Sequence, residues 1–317
     1  MSARTASLVA ALCLSTPEAL ACPCQGSSGP AAGVTSATER LGASLTETTR
    51  FVPGAWRANG LYGSLAPGER EASEDVTAIV GYRPIVPLEA SVEAAVGHQA
   101  LTSPDFQTER TAFGDTTLRV RWDALDEPMP FEHPRFPWPA LTLLLSLRMP
   151  TSPSGRGDPA NPFSGTTGSV GASASSEGLG AFEPSLGAAV VRSFGELFQA
   201  SGYLEAAYRF ADSYIGRARH LGPRVFGQLG VRYAPTPTTG VGLLTDYGWE
   251  GNVSYDGSSV PDSSQRVWAI GAFCYLRAEP SRLRWGALVR YAPPIDGIGK
   301  NASQSASVAV SVGYAFL

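Results

Sequence analysis

The sequence predicts an all-β fold: a transmembrane antiparallel β-barrel of about twelve strands, with short periplasmic turns and longer external loops. Three observations predict it. Residues 305–317 place Ala306, Val308, Val310, Val312, Tyr314 and Phe316 on one face, and mostly Ser, Ala and Gly on the other. That alternation is a strand's, the length exceeds the roughly 9–11 residues a membrane strand needs, and the aromatic pair at its end suits an interface. Segments of this kind recur along the chain in an even number. The connections between them alternate between long and short, which a soluble sandwich has no reason to do.

Taken in order, residues 41–57 form a first strand and 74–82 a second, separated by a polar loop at 65–73. Pro84 and Pro87 hold a short turn before the third strand, 88–97, where Leu88, Ala90, Val92, Ala94 and Val96 oppose Glu89, Ser91 and Glu93. Residues 98–113 read as a longer polar loop. The fourth strand, 114–122, sets Leu118, Val120 and Trp122 against Arg119 and Arg121. A Pro-rich stretch, 123–138, runs long where a short turn is expected. The fifth strand, 140–148, turns Leu141, Leu143, Leu145 and Leu147 outward, with Thr142, Ser146 and Arg148 opposite. A Gly/Ser-rich loop fills 149–180. Strands follow at 182–194, 197–210, 223–233, 239–249, 265–277 and 282–291, and 305–317 closes the set.

Before the barrel, residues 1–21 read as a signal peptide. Arg4 supplies the positive start, 8–14 the apolar run, and Ala19-Leu20-Ala21 the small-x-small cleavage site. The mature chain then begins at Cys22. Acylation of Cys22 is the other reading, but Ala19 stands where lipoprotein signals usually carry Leu. Residues 22–45 form a flexible periplasmic segment, with the barrel proper assigned to 46–317. Cys22 and Cys24 are two residues apart, too close for an unstrained disulfide and too few for a strong metal site, so metal binding or lipidation there stays a weak expectation.

The 317 residues carry a net charge of −4, which gives no case for nucleic acid. No stretch approaches the roughly 18 apolar residues of a spanning helix. The faces turned from lipid carry Glu89, Glu93, Arg119, Arg121, Arg148, Glu205, Arg209, Arg224, Arg232, Asp246, Arg284 and Arg290. These are the candidate pore-lining residues, where side chains tune selectivity. The competing reading is that charges of both signs pair across the lumen and plug it. Arginine outnumbers acids in the set, which favours an anionic or carboxylate-bearing permeant.

Three stretches carry a resemblance. Arg148-Met149-Pro150-Thr151, ending a strand before a Gly/Ser-rich loop, is joined by Phe113-Gly114-Asp115-Thr116-Thr117-Leu118 and by Arg290-Tyr291-Ala292-Pro293-Pro294. Their order and spacing resemble the outer-membrane proteins of the meta-pathway of phenol degradation, over about residues 110–317. The resemblance implies a barrel in the outer membrane and passage of aromatic or other hydrophobic compounds. Tyr314 and Phe316 resemble the terminal targeting signal of such barrels, although Phe316 is penultimate here.

No motif for phosphate, metal or nucleophilic chemistry is present. The three histidines, His98, His133 and His220, fall in expected connections. The expectation is therefore a monomeric, cofactor-free, non-enzymatic channel for a small molecule in the cell outer membrane, partnered by lipid and by the barrel-assembly machinery. The alternative is a non-conducting platform whose Cys22-x-Cys24 tail binds a periplasmic partner or metal. A hydrolase built on His98 or His133 is the third reading.

Overall fold

The computed structural model describes residues 39–104, 106–125, 138–152, 180–195, 197–214, 216–236, 238–278 and 281–316. In chain order the strands are β1 (Leu41–Trp56), β2 (Tyr62–Ser64), β3 (Arg70–Ile85), β4 (Leu88–Ser103), β5 (Phe106–Phe113), β6 (Thr116–Leu125), β7 (Ala140–Met149), β8 (Glu183–Phe194) and β9 (Phe198–Ala207). They continue as β10 (Asp212–Tyr214), β11 (Arg217–His220), β12 (Arg224–Thr236), β13 (Thr239–Glu250), β14 (Ser254–Tyr255), β15 (Ser258–Ser259), β16 (Gln265–Ala278), β17 (Leu283–Tyr291) and β18 (Ala302–Phe316).

Twelve of these close a barrel in the order β1, β3, β4, β6, β7, β8, β9, β12, β13, β16, β17, β18, every neighbour antiparallel. The seam is β1 against β18, from Leu41↔Phe316 to Trp56↔Ala302, with one irregularity between Phe51 and Gly54. Closure leaves no open edge, which a lipid environment requires. Both ends of the described chain lie at one rim, together with the short turns after β3, β8, β12 and β16. The other long connections lie at the far rim, while the long one between β6 and β7 joins strand ends at the rim of the termini.

Each wall strand alternates because one face meets lipid and the other the lumen. Leu45, Val80, Val92, Leu145, Leu186, Leu204, Leu229, Leu243, Val289 and Val310 are exposed on the outside. Two belts of exposed rings bound this apolar band. Tyr82, Trp122, Phe194, Phe198, Tyr233, Trp285, Tyr314 and Phe316 ring the rim that holds the termini. Phe51, Phe113, Tyr208, Phe210, Tyr247 and Tyr291 ring the far side. Such belts mark the two interfaces of a membrane.

At mid-depth Glu47 breaks the pattern. Glu47 is exposed on β1, with Val310 and Val76 as its register partners. It lies four residues from Ala43, the partner of Tyr314, and four from Phe51, so it sits midway between the belts. A lipid-facing carboxylate there costs stability. Glu47→Val is expected to raise the folding stability in phospholipid vesicles by ~1 kcal/mol, read as an upward shift of the urea midpoint. A loss of stability would mean that Glu47 meets a partner in the membrane.

The structure corrects several boundaries. Residues 41–45, assigned above to the flexible segment, are paired in β1 with both β18 and β3. Glu39 already receives Arg284 across the seam. The expected loop at 98–113 is instead an upward extension of β4 and its hairpin partner β5. Above the membrane both faces of a strand meet water, so apolar alternation vanishes there although the ladder continues. For the same reason β3 begins at Arg70, inside the loop expected at 65–73. The connections at 208–223 and 251–264 build a small second sheet, in the order β10, β11, β14, β15. In it Arg217 donates to Asp256 at 2.8 Å and, with the Ala218 N–H, holds that carboxyl below its ordinary range.

Candidate functional site: the lumen wall

All twelve candidate pore-lining residues turn inward. Glu89, Glu93, Arg121, Glu205, Arg209, Arg224 and Asp246 are buried, and Arg119, Arg148, Arg232, Arg284 and Arg290 are half-buried. The structure adds Arg83, Asp123, Glu183 and Glu250, which sequence reading had missed. Glu183 opens β8, and the outward Leu186 and Val190, two and six positions beyond Pro184, put it on the inner face, so alternation could have found it. Arg83 and Glu250 had been read as turn and loop, and Asp123 as part of the Pro-rich stretch.

The charges are knitted into pairs. Arg209, just past β9, donates Nε to Glu183 at 2.5 Å and both terminal nitrogens to Glu250, at 2.7 and 3.0 Å. Arg224 bridges Glu183 at 2.9 Å and Glu205 at 2.6 Å. Tyr203 donates its hydroxyl to Glu205. Arg290 grips Asp246 through Nε, at 2.8 Å, and a terminal nitrogen. Arg119 meets Glu93 at 3.5 Å, and Arg83 meets Asp123 at 2.9 Å and Glu89 at 3.3 Å.

Each of these pairs joins neighbouring wall strands or strands one apart. Glu183 and Arg224 lie on β8 and β12 with β9 between; Asp246 and Arg290 lie on β13 and β17 with β16 between. The pairs run along the wall rather than across the barrel. Bidentate guanidinium–carboxylate bonds of this kind fix both partners and satisfy their buried polar atoms. The expected plug of charges pairing across the lumen is not what these contacts form.

Six consecutive strands, β4 to β12, enclose a polar chamber lined by Glu93, Thr117, Arg119, Ser146, Arg148, Glu183, Ser185, Glu205 and Arg224. Toward the rim of the termini the inward face turns apolar on β7, β8, β9 and β12, where Leu144, Ala189, Tyr203 and Phe226 pack together, while β4 and β6 continue with Ser91 and Arg121. On the facing wall Phe273 lies over Gly242, its register partner, where a Cβ would fall 2.4 Å from the ring. The glycine is what lets an aromatic side chain lie flat against the inner wall.

The far mouth is narrowed from one side. Trp56, at the end of β1, is buried with Val267, Ala269, Ala292 and Ala302. Its indole N–H donates to the Ile295 carbonyl at 2.9 Å. Tyr62 reaches Gln304, and its backbone N–H donates to Asp296 at 2.7 Å. The connection after β17 is thereby locked onto the connection after β1, inside the barrel end.

Two of the stretches that carry the family resemblance meet at this end. Thr116 and Met149 are register partners, the Thr116 N–H donates to Thr151 Oγ1 at 2.8 Å, and the Ser152 N–H donates to the buried Asp115 at 3.2 Å. They form one rim element above the chamber.

The candidates for other chemistry do not converge. His98 faces outward on β4, 3.0 Å from Thr111 Oγ1, and His220 stacks near Tyr208. Cys22, Cys24 and His133 lie outside the described residues. Among the described residues no three His, Cys, Asp or Glu side chains are grouped as a metal site requires.

No protein family and no curated protein matches the sequence. Solved structures do match. An outer-membrane channel from Pseudomonas putida F1 superimposes with a TM-score of 0.66 at 14% identity, over 88% of this chain and 96% of that one. The fold is that of an outer-membrane β-barrel. More distant matches are the translocator domain of the autotransporter NalP from Neisseria meningitidis (TM-score 0.47, 11% identity, 87% of this chain and 88% of that one) and the NanC porin (0.46, 8%, 86% and 98%). At these identities the likeness concerns architecture, and function has to be argued from the lumen.

Proposed function

We propose that this chain is a monomeric channel of the outer membrane that passes a small aromatic or carboxylate-bearing molecule and performs no catalysis. The observation that carries this reading is the lumen wall, with its charged side chains turned inward and paired along the wall. The interior offers fixed dipoles and charges, the means by which channels select what passes. The resemblance of the Arg148–Thr151 and Phe113–Leu118 stretches to the phenol meta-pathway proteins supports an aromatic permeant. The inner wall carries rings of its own at Tyr203, Phe226 and Phe273. Export by the signal peptide at 1–21 and insertion through the terminal Tyr314 and Phe316 complete the reading.

The test is planar-bilayer recording of the refolded chain, with and without residues 22–38. Discrete, steady conductance steps are expected in both forms. Silence in both would overturn the channel and leave the platform reading. Current only after truncation would make the N-terminal segment a plug.

A further inference from the structure

We propose that the luminal chamber binds a small carboxylate through Arg148. This rests on the channel reading and names the class of molecule it would take.

Arg148 turns inward from β7, opposite Glu183 on β8 in the register. That glutamate is the acceptor an arginine in this position would ordinarily find. Both of its oxygens are already taken: Oε2 by Arg209 Nε at 2.5 Å and Oε1 by Arg224 at 2.9 Å. Glu205 is equally spent, on Arg224 and on the Tyr203 hydroxyl. Arg148 therefore makes no hydrogen bond or ion pair among the described residues, although it lines the chamber. Arg224 Nε, in the same wall, is also buried without an acceptor.

A guanidinium carries five N–H donors in a planar fork and no acceptor. Arg148 is half-buried, so an arriving acceptor takes the place of water on donors that the wall leaves open. Formal charge does not decide the matter, because Glu93, Glu183, Glu205 and Glu250 balance Arg119, Arg148, Arg209 and Arg224. Hydrogen-bonding capacity does. Glu183 and Glu205 each already accept from two donors of the wall, whereas Arg148 has its whole fork to give. A carboxylate matches that fork in two parallel bonds, and the Ser146 and Ser185 hydroxyls stand on the same wall. Toward the rim of the termini Leu144, Tyr203 and Phe226, the next inward positions of β7, β9 and β12, close the chamber by packing with Ala189. The fork and the hydroxyls beside it suit a short carboxylate. Binding should be weak, since a channel site must release what it takes up.

Benzoate is the probe, titrated by calorimetry into the detergent-folded full chain, with benzyl alcohol as the neutral control. Saturable benzoate binding is expected, with benzyl alcohol ~10-fold weaker or silent. Arg148→Gln should weaken benzoate at least ~10-fold, and Arg148→Lys, which keeps charge but loses the fork, by an intermediate factor. Heat-modifiable gel mobility checks that each variant is folded; if the glutamine variant fails, the lysine variant carries the test. No benzoate binding, equal binding of the alcohol, or full affinity in a folded Arg148 variant would overturn the proposal. Binding without any bilayer conductance would leave the site standing and overturn the channel instead.

Discussion

Leu229→Arg will destabilise the barrel by about 2–4 kcal/mol, while Gln228→Arg, one residue away, will change it by less than about 1 kcal/mol. The two substitutions bring the same side chain into β12 on opposite faces. Leu229 is 64% exposed on the outside. It stands four residues from Tyr233 in the belt nearest the termini, and its register partner Thr245 is two residues from Tyr247 in the other belt. An arginine there must place its guanidinium in hydrocarbon or stretch along the wall to reach an interface, and near mid-depth that reach is longest. Gln228 faces inward between Tyr203 and Asp246 in the register. An arginine at that position enters a wall already built of guanidiniums and carboxylates. Urea titration of folding into phosphatidylcholine vesicles, followed by tryptophan fluorescence, gives both values from one assay. Equal effects, or a larger effect at Gln228, would mean that the faces have been assigned backwards.

That contrast depends on an alternation the sequence displays openly, and it explains why the wall was legible. Each of the twelve barrel strands was read from sequence in its place, because lipid on one side and a polar lumen on the other impose a period of two that nothing else in the chain imitates. What failed lay beyond the membrane. The β4–β5 hairpin carries Gln99, Thr102, Gln107 and Glu109 without regular apolar spacing, so it read as loop. There both faces are wet and the ladder is held by backbone bonds alone. The paired charges were half-legible. Alternation assigned Arg209 and Arg224 to the inner face, but their partners, Glu183 and Glu250, stand at strand ends where the pattern has run out. Nor could sequence tell pairing along the wall from pairing across it. That distinction depends on register, and here the register carries each arginine to a strand one or two places away.

The same pairing leads to the second large effect. Arg209→Ala will cost about 3 kcal/mol or more of folding stability. The guanidinium is 3% exposed and spends three N–H groups on two carboxylates that are 2% and 7% exposed. Removing it leaves Glu183 with Arg224 and leaves Glu250 with the loss of a bidentate partner inside the barrel. The larger part of the cost is the stranded carboxylate rather than the missing attraction, and a double-mutant cycle separates the two. Arg209→Met with Glu250→Gln removes the charge from both ends and should recover more than half of the loss, giving a coupling energy above about 1.5 kcal/mol. A cost below about 0.5 kcal/mol for Arg209→Ala would mean that water reaches this pair freely, as it does surface ion pairs. The recording assay supplies an independent reading. Arg209 ties the start of β8 to the end of β13 across the two strands between them. Without it, that third of the wall can move on its own, and open-channel current noise should rise even where mean conductance is kept.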